Sequence, residues 1–246
     1  MLIDSQTCKG CGNCVPYCPM EAIIFHEKDS AKGVMPYAEI DSNECVECFA
    51  CLRADVCPTD SIREEELKWP RVLRRAFSDP LYVHKGTDIP GRGTEEMKTN
   101  DVTGRFREGF IGVGVELGRP GIGTRLSEAE KLTKRFVAMG IELEPQNPLT
   151  QLIANKKTGE LRQEVIQEKV LSAIVEAKVP IERAQELFRA IKLVAKELNT
   201  VFSLDLICKV QKDGRIPLIE EINKAGLSIS ANGKVNVGLG RPRYNE

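Results

Sequence analysis

Eight of the nine cysteines in this 246-residue chain lie between residues 8 and 57, in two runs that tie down the backbone around them. Cys8, Cys11, Cys14 and Cys18 follow C-x2-C-x2-C-x3-C, with Pro19 directly after. Cys45, Cys48, Cys51 and Cys57 repeat the pattern up to Pro58, except that the last cysteine arrives two residues late. The flanks repeat as well. Ile3-Asp4-Ser5 precedes Cys8 at the offset at which Ile40-Asp41-Ser42 precedes Cys45, and Ile23 follows Pro19 as Ile62 follows Pro58. This is an internal duplication. Spacing this tight suits metals better than disulfides. Thiolates suit soft iron, and three at C-x2-C-x2-C spacing wrap three corners of a cubane while a distant one takes the fourth. Two four-cysteine zinc sites are the alternative, although zinc sites are typically built from paired C-x2-C elements.

Over residues 1–66 these motifs resemble the bacterial-type two-cluster ferredoxins. The resemblance implies two [4Fe-4S] clusters with crossed ligation: Cys8, Cys11, Cys14 and Cys57 hold the first, and Cys45, Cys48, Cys51 and Cys18 the second. On that basis residues 52–56 enlarge a loop between ligands of different clusters. Arg53 and Asp55 add charge there, which would make the clusters unequal in potential; a harmless length variation is the other reading. Residues 22–25 and 34–40 read as hairpin strands around a turn at 29–33, and a small helical turn is expected after each Cys-Pro. A core this small depends on its metal to fold.

The chain is long enough for a second domain. Residues 1–66 carry 5 Lys/Arg against 13 Asp/Glu, and the remainder 30 against 23. The basic part could fold back onto the acidic one or steer an acidic partner or an anionic ligand; a merely solvated face is the plainer reading. Residues 67–108 open on a basic stretch, 69–75, and continue with mixed polar residues of little periodicity. They read as an ordered docking loop rather than a linker.

From residue 109 regular elements are expected: a strand over 110–117, a helix opened by a Ser127/Glu130 capping box and closed by Gly140, and short strands at 141–144 and 149–154. Helices are expected over 164–177 and 181–198. A hairpin of 201–210 with 216–222 would turn at Asp213-Gly214, with another turn at Asn232-Gly233. The fold class is therefore α+β: a ferredoxin-like module (1–66), the connecting segment (67–108), and a two-layer domain (109–246) with helices packed on an antiparallel sheet.

Gly118-Arg-Pro-Gly-Ile-Gly123-Thr124 has phosphate-loop glycine spacing but places Thr where Lys is required. Leu117-Gly-Arg-Pro120 recurs as Leu239-Gly-Arg-Pro242, so Arg119 and Arg241 form a candidate anion site, against the blander reading of two ordinary turns. His26 lies on the hairpin; His84, in the polar segment, reads as a surface residue with a proton donor as the alternative, and Cys208 as a buried strand residue. No nucleophile–base set or nucleic-acid stacking platform is present. No apolar run is long enough to span a bilayer. The first 20 residues lack a signal-peptide core, so a reducing cytoplasm is expected, of an anaerobe or microaerophile. These features point to a low-potential electron-transfer protein or iron–sulfur subunit of an oxidoreductase, with the rest of the chain selecting the redox partner. The alternatives are a cluster-coupled small-anion sensor or carrier, or a stand-alone reductase with a substrate between domains.

Overall fold

In the computed structural model of the chain, residues 1–83, 106–119 and 121–229 are described. Within the first 66 the two repeats exchange strands. Strand β1 (Leu2–Ile3), before the first cysteine run, pairs antiparallel with β4 (Ile62–Arg63), after the second. Strand β2 (Ile23–His26), after the first run, pairs with β3 (Tyr37–Ile40), before the second. The hydrogen bonds repeat too: Asp4 N donates to the Ser61 carbonyl, and Asp41 N to the Ala22 carbonyl, both at 2.8 Å. Each repeat thus completes the other, and the duplication is a pseudo-two-fold.

The helical turns stand before each Cys-Pro, not after it. A 3-10 turn, Val15–Tyr17, precedes Cys18, and helix α1 (Ala50–Arg53) contains Cys51. Beyond each Cys-Pro the next strand starts four residues after the proline, which leaves room only for a single turn.

Helix α2 (Val72–Ser78) follows the module and buries Leu73 and Phe77 in the main core, so the basic stretch is helical at this point. The polar stretch from 84 to 105, with His84, lies outside the described residues, as do Asn232, Gly233 and Arg241.

The remainder is built on one antiparallel sheet in the order β12 (Phe202–Cys208), β5 (Phe110–Leu117), β11 (Ala173–Pro180), β7 (Glu142–Leu143). Helix α3 (Leu126–Ala138) connects β5 towards β7, and α4 (Ala184–Ala195) connects β11 to β12. Each strand–helix–strand unit spans a strand of the other, the interleaved β-α-β-β-α-β arrangement. Ile111, Val113, Val115 and Leu117 of β5 share a buried cluster with Leu126, Leu132 and Phe136 of α3 and Leu187, Phe188 and Ile191 of α4. Burying each such side chain is worth about 1.5–3 kcal/mol, so this layer, rather than the cysteine module, holds the chain's apolar stability. The other face of β5 carries Gly112, where a Cβ would stand 2.6 Å from the Phe106 ring. Two short pairs complete the unit: β6 (Thr124–Arg125) with β10 (Lys169–Val170), and β8 (Ile153–Asn155) with β9 (Glu160–Leu161) around a turn at 155–159.

Four sequence expectations are corrected. The helix expected over 164–177 is a 3-10 turn, Gln163–Val165, followed by β10 and β11. The first five residues of β11 are all buried, so both its faces are covered and the two-residue alternation that marks a strand is hidden. The second strand of the expected 216–222 hairpin is helix α5 (Pro217–Lys224), with proline in its first turn and Leu218 and Ile222 buried four apart. The capping box does not form: Arg125 is the N-cap of α3, and the Glu130 carboxylate instead accepts a 3.0 Å bond from Leu161 N. Residues 150–152 of the strand expected at 149–154 are a 3-10 turn.

Candidate metal centres

Two small cavities, both partly open to solvent, lie in the pseudo-two-fold module. Cys8, Cys11, Cys14 and Cys57 line one. Cys18, Cys45, Cys48 and Cys51 line the other. Each set joins three cysteines of one run to the last cysteine of the other, as the strand exchange requires. Four thiols lining one cavity can hold a polynuclear group such as a cubane.

The crossing cysteines are held alike. Ala22 N donates to Cys18 Sγ and Ser61 N to Cys57 Sγ, both at 3.2 Å. Such bonds stabilise thiolate and orient it before any metal is bound. Burial works against the Cys57 thiolate, but bonds from the Thr59 and Ser61 backbone and hydroxyl groups outweigh it and bring the thiol down to about 7. Burial pushes the Cys51 thiol up to about 12, reinforced by the neighbouring cysteines. Burial, then the Glu47 charge, pushes Cys45 up to about 11.

The loops around the cavities differ at matched positions. In the first, Gly10 and Gly12 take left-handed backbone (φ 62 and 73). In the second, Glu47 and Phe49 occupy the equivalent places, with φ of 57 and 62. Non-glycine residues there cost about 1–2 kcal/mol each. Both side chains are engaged by α2 and its lead-in. Glu47, fully buried, accepts from Arg71 at 2.6 and 2.9 Å and from the Met1 amine at 2.6 Å. Arg75 stacks its guanidinium 4.2 Å from the Phe49 ring centre.

Arg74, 6% exposed, reaches across the junction. It donates to the carbonyls of Ser42 at 2.8 Å, Asn43 at 3.3 Å and Cys45 at 2.7 Å, while its Nε pairs with Glu168. Glu44 is bound by Arg125 at 2.9 Å and by Lys169. Leu171 packs against the apolar wall of the second cavity formed by Met20, Ala22 and Val46. The basic part of the chain therefore folds back onto the acidic module, and it does so at the second cavity.

The segment before the late cysteine reaches this junction: residues 52 and 53 end α1, and Arg53 pairs with Asp79 at 3.0 Å and also donates to the Cys48 carbonyl. Spacing pointed to none of Arg71, Arg74, Glu44, Glu47 or Glu168; the signals were the charge segregation and the basic run at 71–75. Of the candidate anion site, Arg119 is paired with Glu116 at 2.6 Å, and Arg241 lies outside the described residues. His26 bonds Glu39 at 2.9 Å and stacks on Tyr37. Cys208 ends β12 with its thiol raised by burial.

A family model for a 4Fe-4S dicluster domain matches residues 7–61. An uncharacterised ferredoxin of Methanocaldococcus jannaschii is 32% identical over 62 residues, 25% of this chain and 73% of the relative. A ferredoxin-like protein in the vnf region of Azotobacter vinelandii is 38% identical over 61 residues, 24% of this chain and 85% of the relative. One polypeptide of the H2:CoB-CoM heterodisulfide, ferredoxin reductase of Methanothermobacter marburgensis is 31% identical over 74 residues, 26% of this chain but only 11% of that longer polypeptide. No solved structure matches the chain. None of the described helices is long and apolar enough to cross a membrane.

Proposed function

Because this chain belongs, through residues 7–61, to the 4Fe-4S dicluster ferredoxins, we propose that it is the electron-transfer subunit of an oxidoreductase, taking single electrons from one protein and giving them to another. When bound, the two [4Fe-4S] clusters supply low-potential one-electron carriers in the module. Cys8, Cys11, Cys14 and Cys57 hold the first, and Cys45, Cys48, Cys51 and Cys18 the second. The observation that carries this assignment is the crossed lining of the two cavities. The protein's own residues set the environment: the Ala22 and Ser61 amides orient the crossing sulfurs, and Met20, Val46 and Leu171 exclude water from the second site. Arg71, Arg74, Arg125, Lys169 and Leu171 act as a cap on that site, and the rest of the chain beyond residue 66 is the part that selects the assembly. The partial likeness to a component of a reductase supports a place within a larger complex.

Anaerobically purified protein tests the reading. It should contain about eight iron and eight sulfide per chain, as two cubanes require, and show reduced-cluster EPR signals with dithionite. Cys57→Ser should alter the same signal as Cys11→Ser, and Cys18→Ser the same signal as Cys48→Ser. A colourless zinc protein, or pairing of Cys57 with Cys48, would overturn the assignment.

A further inference from the structure

We infer that Arg53 and Arg74 hold the second cluster at a higher potential than the first, so that a single electron in the protein rests on the second. This rests on the reading that the two cavities hold [4Fe-4S] clusters that carry electrons. No bond forms or breaks and no proton moves. One electron leaves the first cluster, which is oxidised, and enters the second, which is reduced.

The two arginines sit on the peptides of the ligands themselves. Arg74 donates to the Cys45 carbonyl at 2.7 Å, and Arg53 donates to the Cys48 carbonyl. A cysteine's carbonyl is joined to its sulfur through Cα and Cβ alone, so a guanidinium seated on it acts on the cluster at short range. Each is held from its other side. Arg74 pairs through Nε with Glu168, and Arg53 pairs through a second nitrogen with the buried Asp79 at 3.0 Å. The cation is therefore the charge nearest the ligand peptide, and it favours the more negative, reduced cluster. The late cysteine gains a role from this. Two extra residues before Cys57 give the chain helix α1 where the first run has a 3-10 turn, and α1 carries Arg53 to both Cys48 and Asp79.

The first run has no matching cation. Pro16 stands two residues after Cys14, as Arg53 stands two after Cys51. Lys9 lines the first cavity but is exposed, so water and salt screen it. Two features of the second site work the other way. Met20, Val46 and Leu171 form an apolar wall, and apolar burial disfavours added negative charge. Both cavities are partly open to solvent, however, so burial separates them little and charge decides. Glu47, buried between Cys45 and Cys48, is bound by both Arg71 and the Met1 amine, which offset it.

Potentiometric EPR titration of the holoprotein tests the inference. As the potential is lowered, the signal that Cys48→Ser alters should appear before the signal that Cys11→Ser alters. Arg53 is 37% exposed, and Asp79 keeps Arg75 at 3.4 Å when Arg53 is lost, so Arg53→Gln should fold. At a fixed potential it should lower the reduced-to-oxidised ratio of the second cluster at least about threefold, or about 28 mV at about 59 mV per decade for one electron. The first cluster should move less. Arg53→Lys, which keeps the charge, should stay near the unaltered value. Lys224→Gln, the same charge change on α5, should move neither cluster. Reduction of the first cluster ahead of the second overturns the inference, as does an Arg53→Gln protein with a lowered unfolding midpoint and unmoved potentials. Failure of the electron-transfer reading would show separately, as clusters whose EPR dithionite does not change.

Discussion

The two halves of the cysteine module share strand exchange, aspartate turns and amide-to-sulfur bonds, yet they differ in what surrounds the metal. The first loop uses glycine at both left-handed positions, Gly10 against the Pro36 carbonyl and Gly12 beside the Phe25 ring. The second accepts Glu47 and Phe49 there, at a local cost of about 1–2 kcal/mol each, and uses both to bind the rest of the chain. A duplication keeps the ligand geometry identical because the metal fixes it. The positions between ligands are free to diverge, and here the second copy became a permanent interface.

Four substitutions probe that contrast, from the largest expected effect to the smallest. Gly10→Ala would place a Cβ 2.1 Å from the Pro36 carbonyl oxygen, on backbone that already has positive φ. It should destabilise by more than about 4 kcal/mol, and iron analysis should show the first cluster lost. Arg74→Ala leaves Glu168 and several carbonyls of the second loop without their buried cation. A loss of about 3–5 kcal/mol in denaturant unfolding of the holoprotein is expected, with the second EPR signal lost before the first on warming. Glu47→Gly relieves the backbone but strands Arg71, for a net loss of about 2–3 kcal/mol. If it instead stabilised the protein, Glu47 would not be an anchor. Gly12→Ala meets only ordinary contacts at 3.6 Å from Phe25, so the backbone term dominates and about 1–2 kcal/mol is expected by the same unfolding measurement.

The two [4Fe-4S] clusters were legible because the cysteine runs resemble those of two-cluster ferredoxins, and the flanking Asp4 and Asp41 marked the duplication. Strand β5 was legible because apolar residues alternate with glycine over its first half, although both its faces are buried, and helix α4 because it buries one regular face. Strand β11 was not, since both its faces are covered and its apolar run carries no period. Helix α5 was missed because its short apolar run over 216–222 reads equally as a strand, while Pro217, which suits a helix's first turn, lies inside it. The arginine cap was visible only as charge segregation. Contacts such as Arg74 with Cys45 join residues 29 apart, and no local pattern encodes them.

The contrast between an open first site and a capped second one stands most directly on the order in which the cysteines become free. Holoprotein exposed to a chelator can be quenched at intervals with iodoacetamide, and the labelled peptides counted by mass spectrometry. Cys57 should become labelled in step with Cys8, Cys11 and Cys14, well before Cys18, Cys45, Cys48 and Cys51 under the arginine cap. Labelling of all eight at one rate, or release of the second set first, would contradict it.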